Sequence, residues 1–304
     1  MSPEDDALET VQQSDAQALL KKAERFRAFG QFHAAVDTLR EAVKIDSDCA
    51  EAWYLLGKTL KELNRPDEAR ESLVRATEID ASKTEAWLEL GLINYSQERY
   101  RDASFALKRY MDNGGKDIDA LLTLARAAFR QSDCDMVLAV TGLILKMDED
   151  VYEAWELRGL CQARKKRYNA AVMSLNMALE LHRGSVYALN TVGDLCYEEE
   201  NYERAIDFYR SSLASDWDQP RILFRMATSL WKVGRWQAAI PMLEEYVEIV
   251  PDDPRGWNNL GVVLRERGEV KRAIECYQRA LQLDPDFEEA RQNLETAKNK
   301  HIAL

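Results

Sequence analysis

Four tryptophans, Trp53, Trp87, Trp155 and Trp257, are separated by 34, 68 and 102 residues, all multiples of 34. The other positions on that lattice are Leu19, Leu121, Leu189 and Leu223, so every lattice point is large and apolar. Four residues after each stands Ala23, Gly57, Gly91, Ala125, Gly159, Gly193, Ala227 or Gly261, where two backbones must approach closely. Twelve residues further on, Ala35, Ala69, Ala103, Val137, Ala171, Ala205, Ala239 and Ala273 supply the facing contact. A fixed period of this length makes each unit one supersecondary element that buries its apolar face only by stacking on its neighbours. The usual prior of one domain per 100 to 200 residues therefore does not divide this chain of 304.

Within a unit, apolar residues recur at steps of three and four, as in Trp53, Leu56, Leu60 and Leu63, the pattern of an amphipathic helix. The 13 glycines and 7 prolines are too few for many short strands, and short connectors such as Asp80-Ala81-Ser82-Lys83 and Pro251-Asp252-Asp253-Pro254 stop one helix and cap the next. Each unit is expected to be two helices. Apolar residues at 46% leave ample material for a packed core.

The set Trp257, Leu260, Gly261, Ala273, Tyr277, Ala280 and Pro285 resembles the tetratricopeptide repeat. The resemblance implies an all-α solenoid of eight helix-turn-helix repeats forming a right-handed superhelix. The frame runs without insertion through 16–49, 50–83, 84–117, 118–151, 152–185, 186–219, 220–253 and 254–287. Residues 1–15 are expected to be an acidic tail or short helix, and 288–304, which keep the first-helix pattern but turn polar, a capping helix. The fourth repeat departs most: Val137 replaces alanine, Thr141 replaces a large residue, Gly142 lies within the second helix, and Asn113-Gly114-Gly115 precedes the repeat. A glycine inside a helix costs about 1 kcal/mol relative to alanine, so a local flexible point is expected there.

Catalytic signatures are missing from the sequence. Gly57-Lys58-Thr59 matches the end of a phosphate-binding loop, but Ala52 replaces its first glycine and the segment is mid-helix, where the amides are already used. His33, His182 and His301 are scattered, and the acidic runs Asp148-Glu149-Asp150 and Glu198-Glu199-Glu200 lie beside turns. No metal or other cofactor is expected, nor an enzyme. Cys49, Cys134, Cys161, Cys196 and Cys276 include no C-x-x-C pair and read as reduced thiols. A formal charge of -12 is the wrong sign for a nucleic-acid binder. The segment Met1 to Asp15 lacks the features of a signal peptide, and the apolar run Val137 to Leu145 is far shorter than the roughly 20 residues of a membrane span. A cytoplasmic protein is the expectation.

In the family that the repeat resembles, first helices line a concave groove, with positions 2, 5, 6, 9, 12 and 13 of each repeat facing it. Those positions carry twelve basic and eleven acidic side chains, so the groove is nearly neutral. Repeats 7 and 8 are the exception, with Arg221, Arg225, Lys232, Arg255 and Arg265 against Glu266 alone. Asn190, Asn258 and Asn259 are expected to pair with a bound backbone, Phe224 and Trp231 to pack an apolar anchor, and Asp194 to lie within the same site. A competing reading has Arg225 simply pairing with Asp194 or Glu198. The carboxylate clamp of chaperone-binding members is disfavoured, because Glu156, Leu160 and Thr191 stand at its earlier positions.

The leading expectation is a non-catalytic scaffold or adaptor binding a protein or peptide with an acidic segment. Two alternatives stay open: a self-associating protein that builds an oligomeric coat, and a subunit that recruits substrates for an enzyme in trans.

Overall fold

The computed structural model describes the backbone of residues 3–302 and the side chains of residues 15–299. Every regular element among them is an α-helix, and the helices form an all-α repeat solenoid that falls into two compact units, Met1–Glu149 and Asp150–Leu304. The first unit holds α1 (Pro3–Ala28), α2 (Phe32–Ile45), α3 (Ala50–Glu62), α4 (Pro66–Ile79), α5 (Thr84–Ser96), α6 (Tyr100–Asp112), α7 (Ile118–Arg130) and α8 (Cys134–Met147). The second holds α9 (Tyr152–Arg164), α10 (Tyr168–Leu181), α11 (Val186–Glu198), α12 (Tyr202–Ser215), α13 (Pro220–Lys232), α14 (Trp236–Ile249), α15 (Pro254–Arg267), α16 (Val270–Leu283) and α17 (Glu288–Ile302). In the 34-residue frame, the odd-numbered helices from α1 to α15 are first helices and the even-numbered ones second helices, and α17 follows the eighth repeat.

The lattice tryptophans do two things at once. Their rings pack partly buried between helices, and the indole N–H of Trp53, Trp87 and Trp257 donates to the carbonyl of Ser47, Ala81 and Pro251, six residues earlier in each case, at 2.8–2.9 Å. Helices α3, α5 and α15 are thereby tied to the connectors that precede them. Ala35, Ala69, Ala103, Val137, Ala171, Ala205, Ala239 and Ala273 are all fully buried at the contact between first and second helix.

A backbone feature marks every turn between the two helices of a repeat. Gly30, Asn64, Glu98, Ser132, Lys166, Glu200, Gly234 and Gly268 stand 34 residues apart and share a positive φ of 55° to 92°. The amide of the residue after each bonds the carbonyl five residues back, as in Arg65 N–H to Leu60 at 3.0 Å and Arg167 N–H to Gln162 at 2.8 Å. This is the left-handed helix stop that satisfies orphan carbonyls and turns the chain back on itself. Only three of the eight residues are glycine, so composition alone hides the regularity.

Helix α1 is continuous from Pro3 to Ala28. The N-terminal segment and the first helix of repeat 1 are thus one element, with no glycine or internal proline to part them. The turn before repeat 4 packs on Tyr110. A side chain at Gly115 would run into the Tyr110 ring at 2.3–2.5 Å, and the Tyr110 hydroxyl accepts the Asp117 amide at 3.0 Å. Helix α8 passes unbroken through Gly142, and the Thr141 hydroxyl bonds the Val137 carbonyl at 2.7 Å. At the C-terminal end, Ala290 and Ala297 of α17 are fully buried, so this helix covers the last repeat.

Candidate functional site

In the second unit, the first helices α11 and α13 carry most of the residues expected to bind a partner, and the structure brings these together. Asp194 is the hub. Its Oδ2 accepts from Arg221 at 2.9 Å, and its Oδ1 accepts the Tyr209 hydroxyl of α12 at 2.7 Å and lies 4.0 Å from Arg225 Nε. Arg225 also donates to Glu198 at 3.2 Å and lies over the Tyr197 ring, 4.5 Å from its centroid. A ladder of charge therefore runs from α11 to α13.

Gly193 makes the hub possible. A β-carbon there would sit 2.6 Å from the Tyr209 ring, so the ring crosses the helix backbone and delivers its hydroxyl to Asp194 from below. Burial first, and then the adjacent Asp194 carboxylate, hold the Tyr209 phenol far above its ordinary range, so the phenol stays a proton donor. Tyr277 occupies the same place in repeat 8, but Val262 stands where Asp194 does, and the buried Tyr277 hydroxyl has no hydrogen-bond partner among the described residues.

The basic patch of repeats 7 and 8 is more neutral than the groove positions of those two repeats suggest. Arg221 and Arg225 face Asp194 and Glu198 of repeat 6, and Arg265 pairs with Glu266 at 3.0 Å. Arg255 turns back on Asp253, the residue that caps its own helix, at 3.0 Å. Asp253 lies at the last position of repeat 7, outside the positions assigned to the groove, and accepts the Arg255 amide and the Tyr246 hydroxyl as well. Lys232 alone of the five pairs with no carboxylate among the described residues; it lies 4.7 Å from the Trp231 ring centroid.

The three asparagines separate. Asn190 donates to Gln219 at 2.6 Å, while its own side-chain oxygen is buried and unbonded. Asn258 is corrected: it is 1% exposed, donates to Glu289 and accepts from Asn293 of α17 at 3.0 Å. The capping helix covers that position, so Asn258 faces the cap and not a ligand. Asn259 stays partly exposed beside it. Phe224 packs on Tyr246, with centroids 5.0 Å apart, and Trp231 is partly buried.

Tyr187 and Tyr197 were not among the sequence candidates. Tyr187 stands at position 2 of repeat 6 and is 72% exposed, and Tyr197 at position 12. Their repeat positions were the available signal. Glu156, at a clamp position, accepts a hydrogen bond from Ser185, and burial pushes its carboxyl above the ordinary range. It offers no positive charge to a carboxylate. Cys196 and Cys276 are buried thiols, and burial pushes Cys276 up to about 11, away from thiolate reactivity. Among the described residues, no group of three or more His, Cys, Asp or Glu side chains is placed to hold a metal ion, and no helix is long and apolar enough to cross a membrane.

Two family models, each described as a tetratricopeptide repeat, match residues 26–91 and 224–288. Among curated proteins, the chain is similar to tetratricopeptide repeat protein 37 of Xenopus laevis, with 28% identity over 34% of this chain and 7% of that one. It is also similar to the peroxisomal targeting signal receptor of Eremothecium gossypii, with 26% identity over 60% of this chain and 35% of that one. The chain thus spans about a third or less of the length of these relatives. Among solved structures, the tetratricopeptide repeat protein YrrB aligns with a TM-score of 0.54 and 19% identity, over 61% of this chain and 95% of that one. That likeness concerns the fold.

Proposed function

The chain belongs to the tetratricopeptide repeat family, and on that premise we propose that it is a non-catalytic scaffold whose first-helix groove in repeats 6 to 8 holds a segment of a partner protein. The observation that carries this reading is the Asp194–Arg221–Arg225–Glu198 ladder, flanked by Tyr187, Tyr197 and Trp231 on the same two helices. Arg221 and Glu198 are 59% and 69% exposed. Exposed ion pairs are worth about 0–1 kcal/mol, so a partner carboxylate can displace Glu198 from Arg225 at small cost. The proposed ligand presents an acidic residue to the two arginines and an apolar or aromatic residue to Trp231.

Relatives point the same way. The Eremothecium gossypii protein is by name a receptor for a targeting signal, and YrrB is described as having an unusual peptide-binding site. A photo-crosslinking residue at position 187, on the groove, tests the reading in native cell extract. A distinct adduct from position 187, absent when the same residue is placed at position 210 on α12, is the expected result. Equal adducts from both would overturn it.

One observation favours self-association as a second reading. Met173, Met177 and Leu181 form an exposed apolar line along α10, at 72%, 38% and 40%. Sedimentation velocity over a wide concentration range decides it, a monomer throughout removing the option.

A further inference from the structure

Asn113-Gly114 is the one Asn-Gly pair in the chain, and every other asparagine is followed by a residue with a side chain. The pair stands in the connector from α6 to α7, which is built unlike the others. The other second helices end at a residue with φ between -125° and -152°. Helix α6 instead ends at Asn113, with φ -81° and ψ 9°, and Gly114 follows in the left-handed region at φ 91°. Both residues are exposed, and a β-carbon added to Gly114 would meet open space.

An Asn-Gly pair brings a nucleophile and an electrophile together. The backbone nitrogen of the second residue can close a five-membered ring on the side-chain carbonyl carbon of the first, and glycine, lacking a β-carbon, obstructs that closure least. The folded turn engages both reacting groups. The Gly114 N–H donates to the Met111 carbonyl at 2.9 Å, and the Asn113 side-chain amide donates to the Ala81 carbonyl of the α4–α5 connector at 2.8 Å. Swinging the Asn113 side chain and its ψ into the ring-closing arrangement breaks both bonds. Ring closure therefore waits on local opening, which exposed helix ends undergo far more often than the whole chain unfolds.

We propose that Asn113 is a self-modifying site. In the opened turn the Gly114 nitrogen gives its proton to hydroxide and bonds to Asn113 Cγ. The Cγ–Nδ2 bond breaks, and Nδ2 leaves as ammonia with a proton from water. Water then opens the cyclic imide to aspartate or isoaspartate. The product reverses the polarity of the joint. The Ala81 carbonyl accepts from Asn113 and from the Trp87 indole, and a carboxylate at position 113 sets a negative charge against that oxygen. Asp80 and Asp112 adjoin the two ends of the lost bond, against Lys116 and a Lys83 that pairs with Glu51.

Isoaspartate does more, because the main chain then runs through Cβ and is one atom longer. Gly115 lies against the Tyr110 ring with no room even for a β-carbon. The Tyr110 hydroxyl accepts the amide of Asp117, whose carboxylate caps α7 by accepting the Ala120 amide at 2.8 Å. The added atom displaces Gly115 and with it the Tyr110–Asp117 bond, so the joint between repeats 3 and 4 loosens irreversibly as the molecule ages.

The test incubates the full chain in mildly alkaline buffer, once folded and once in strong urea, and maps its peptides by mass spectrometry at intervals. Asn113 is expected to convert before any other asparagine, at least tenfold more slowly in the folded chain than in the unfolded one. Urea raised within the folded range is expected to speed conversion in step with hydrogen exchange of the Gly114 amide. Asn113→Gln, which would need a larger ring, is expected to give no product at that position. Aged folded protein enriched in isoaspartate is expected to exchange the Gly115 and Asp117 amides at least tenfold faster than fresh protein. Another asparagine converting first, equal rates in the folded and unfolded chain, or no conversion at Asn113 by the time the unfolded chain has reacted a hundred times over would overturn the site. Unchanged exchange at Gly115 and Asp117 in the aged protein would overturn its effect on the joint.

Discussion

The Tyr209 hydroxyl reaches Asp194 Oδ1 at 2.7 Å across the bare backbone of Gly193, so a second-helix core residue fixes the charge that faces α13. At the equivalent place in repeat 8, where Val262 stands in the position of Asp194, the Tyr277 hydroxyl has no hydrogen-bond partner among the described residues. Tyr209→Phe is therefore expected to lower stability by about 1.5–2 kcal/mol, the worth of a hydrogen bond to a charged group. Tyr277→Phe, which removes a buried group with no partner, is expected to be neutral or stabilising. Urea unfolding of the two variants side by side checks this, and equal losses would contradict it.

Asp253 caps α15 and accepts from Tyr246 and Arg255. Burial acts to raise its carboxyl, but the bonds from Arg255 and Tyr246 outweigh it and hold the group below 3.8. The bond in turn helps burial push Tyr246 up to about 12. A carboxylate depressed in the folded state stabilises above its unfolded pKa, and that contribution is lost as pH falls below about 3.8. Asp253→Ala is expected to cost about 2 kcal/mol at pH 7, through the lost cap and the stranded Tyr246 hydroxyl. The gap to wild type is expected to close below that pH; a constant gap in denaturant titrations would show that charge plays no part.

Glu156 has the opposite sign. Its carboxyl is raised above 4.5, first by burial, so the folded state holds the proton more tightly and stability declines as pH rises through the folded pKa. Glu156→Gln keeps an oxygen for the Ser185 hydroxyl and removes the ionisation. The variant is expected to exceed wild type in urea midpoint at pH 7 and to match it below pH 4.5. A lower midpoint at pH 7 would mean that the charge itself is needed.

The left-handed turns invite a comparison within one molecule. Glu98 and Asn64 share φ values of 58° and 55°. A side chain in that region costs about 1–2 kcal/mol except for residues such as asparagine, which tolerate it. Glu98→Gly is expected to raise the thermal midpoint, and Asn64→Gly to leave it nearly unchanged. A similar response from both would remove backbone strain as the cause.

The helices were legible in the sequence because Trp53, Trp87, Trp155 and Trp257 fix the frame and the small residues that follow fix the contacts. The turns were less so, since five of the eight left-handed positions carry side chains. At the candidate site, repeat position brought Asp194, Arg221 and Arg225 together, and the competing reading that Arg225 pairs with Asp194 or Glu198 agrees with the ion pairs, yet repeat position says nothing of what lies beneath a first helix. It therefore missed Tyr209, which bonds Asp194 from the helix beneath. It missed Asp253, which draws Arg255 back to its own cap, and α17, which buries Asn258. Each is a contact between elements, and no single-helix pattern contains it.

The central claim is that Arg221 and Arg225 hold a partner segment in the groove. Its most direct measurement is the affinity of a crosslinked and identified partner for wild type and for the Arg221→Glu, Arg225→Glu variant, with helicity confirmed for both. A loss of at least tenfold in the variant, shrinking in wild type as salt is raised, is the expected result. Equal affinity at low salt would contradict the claim.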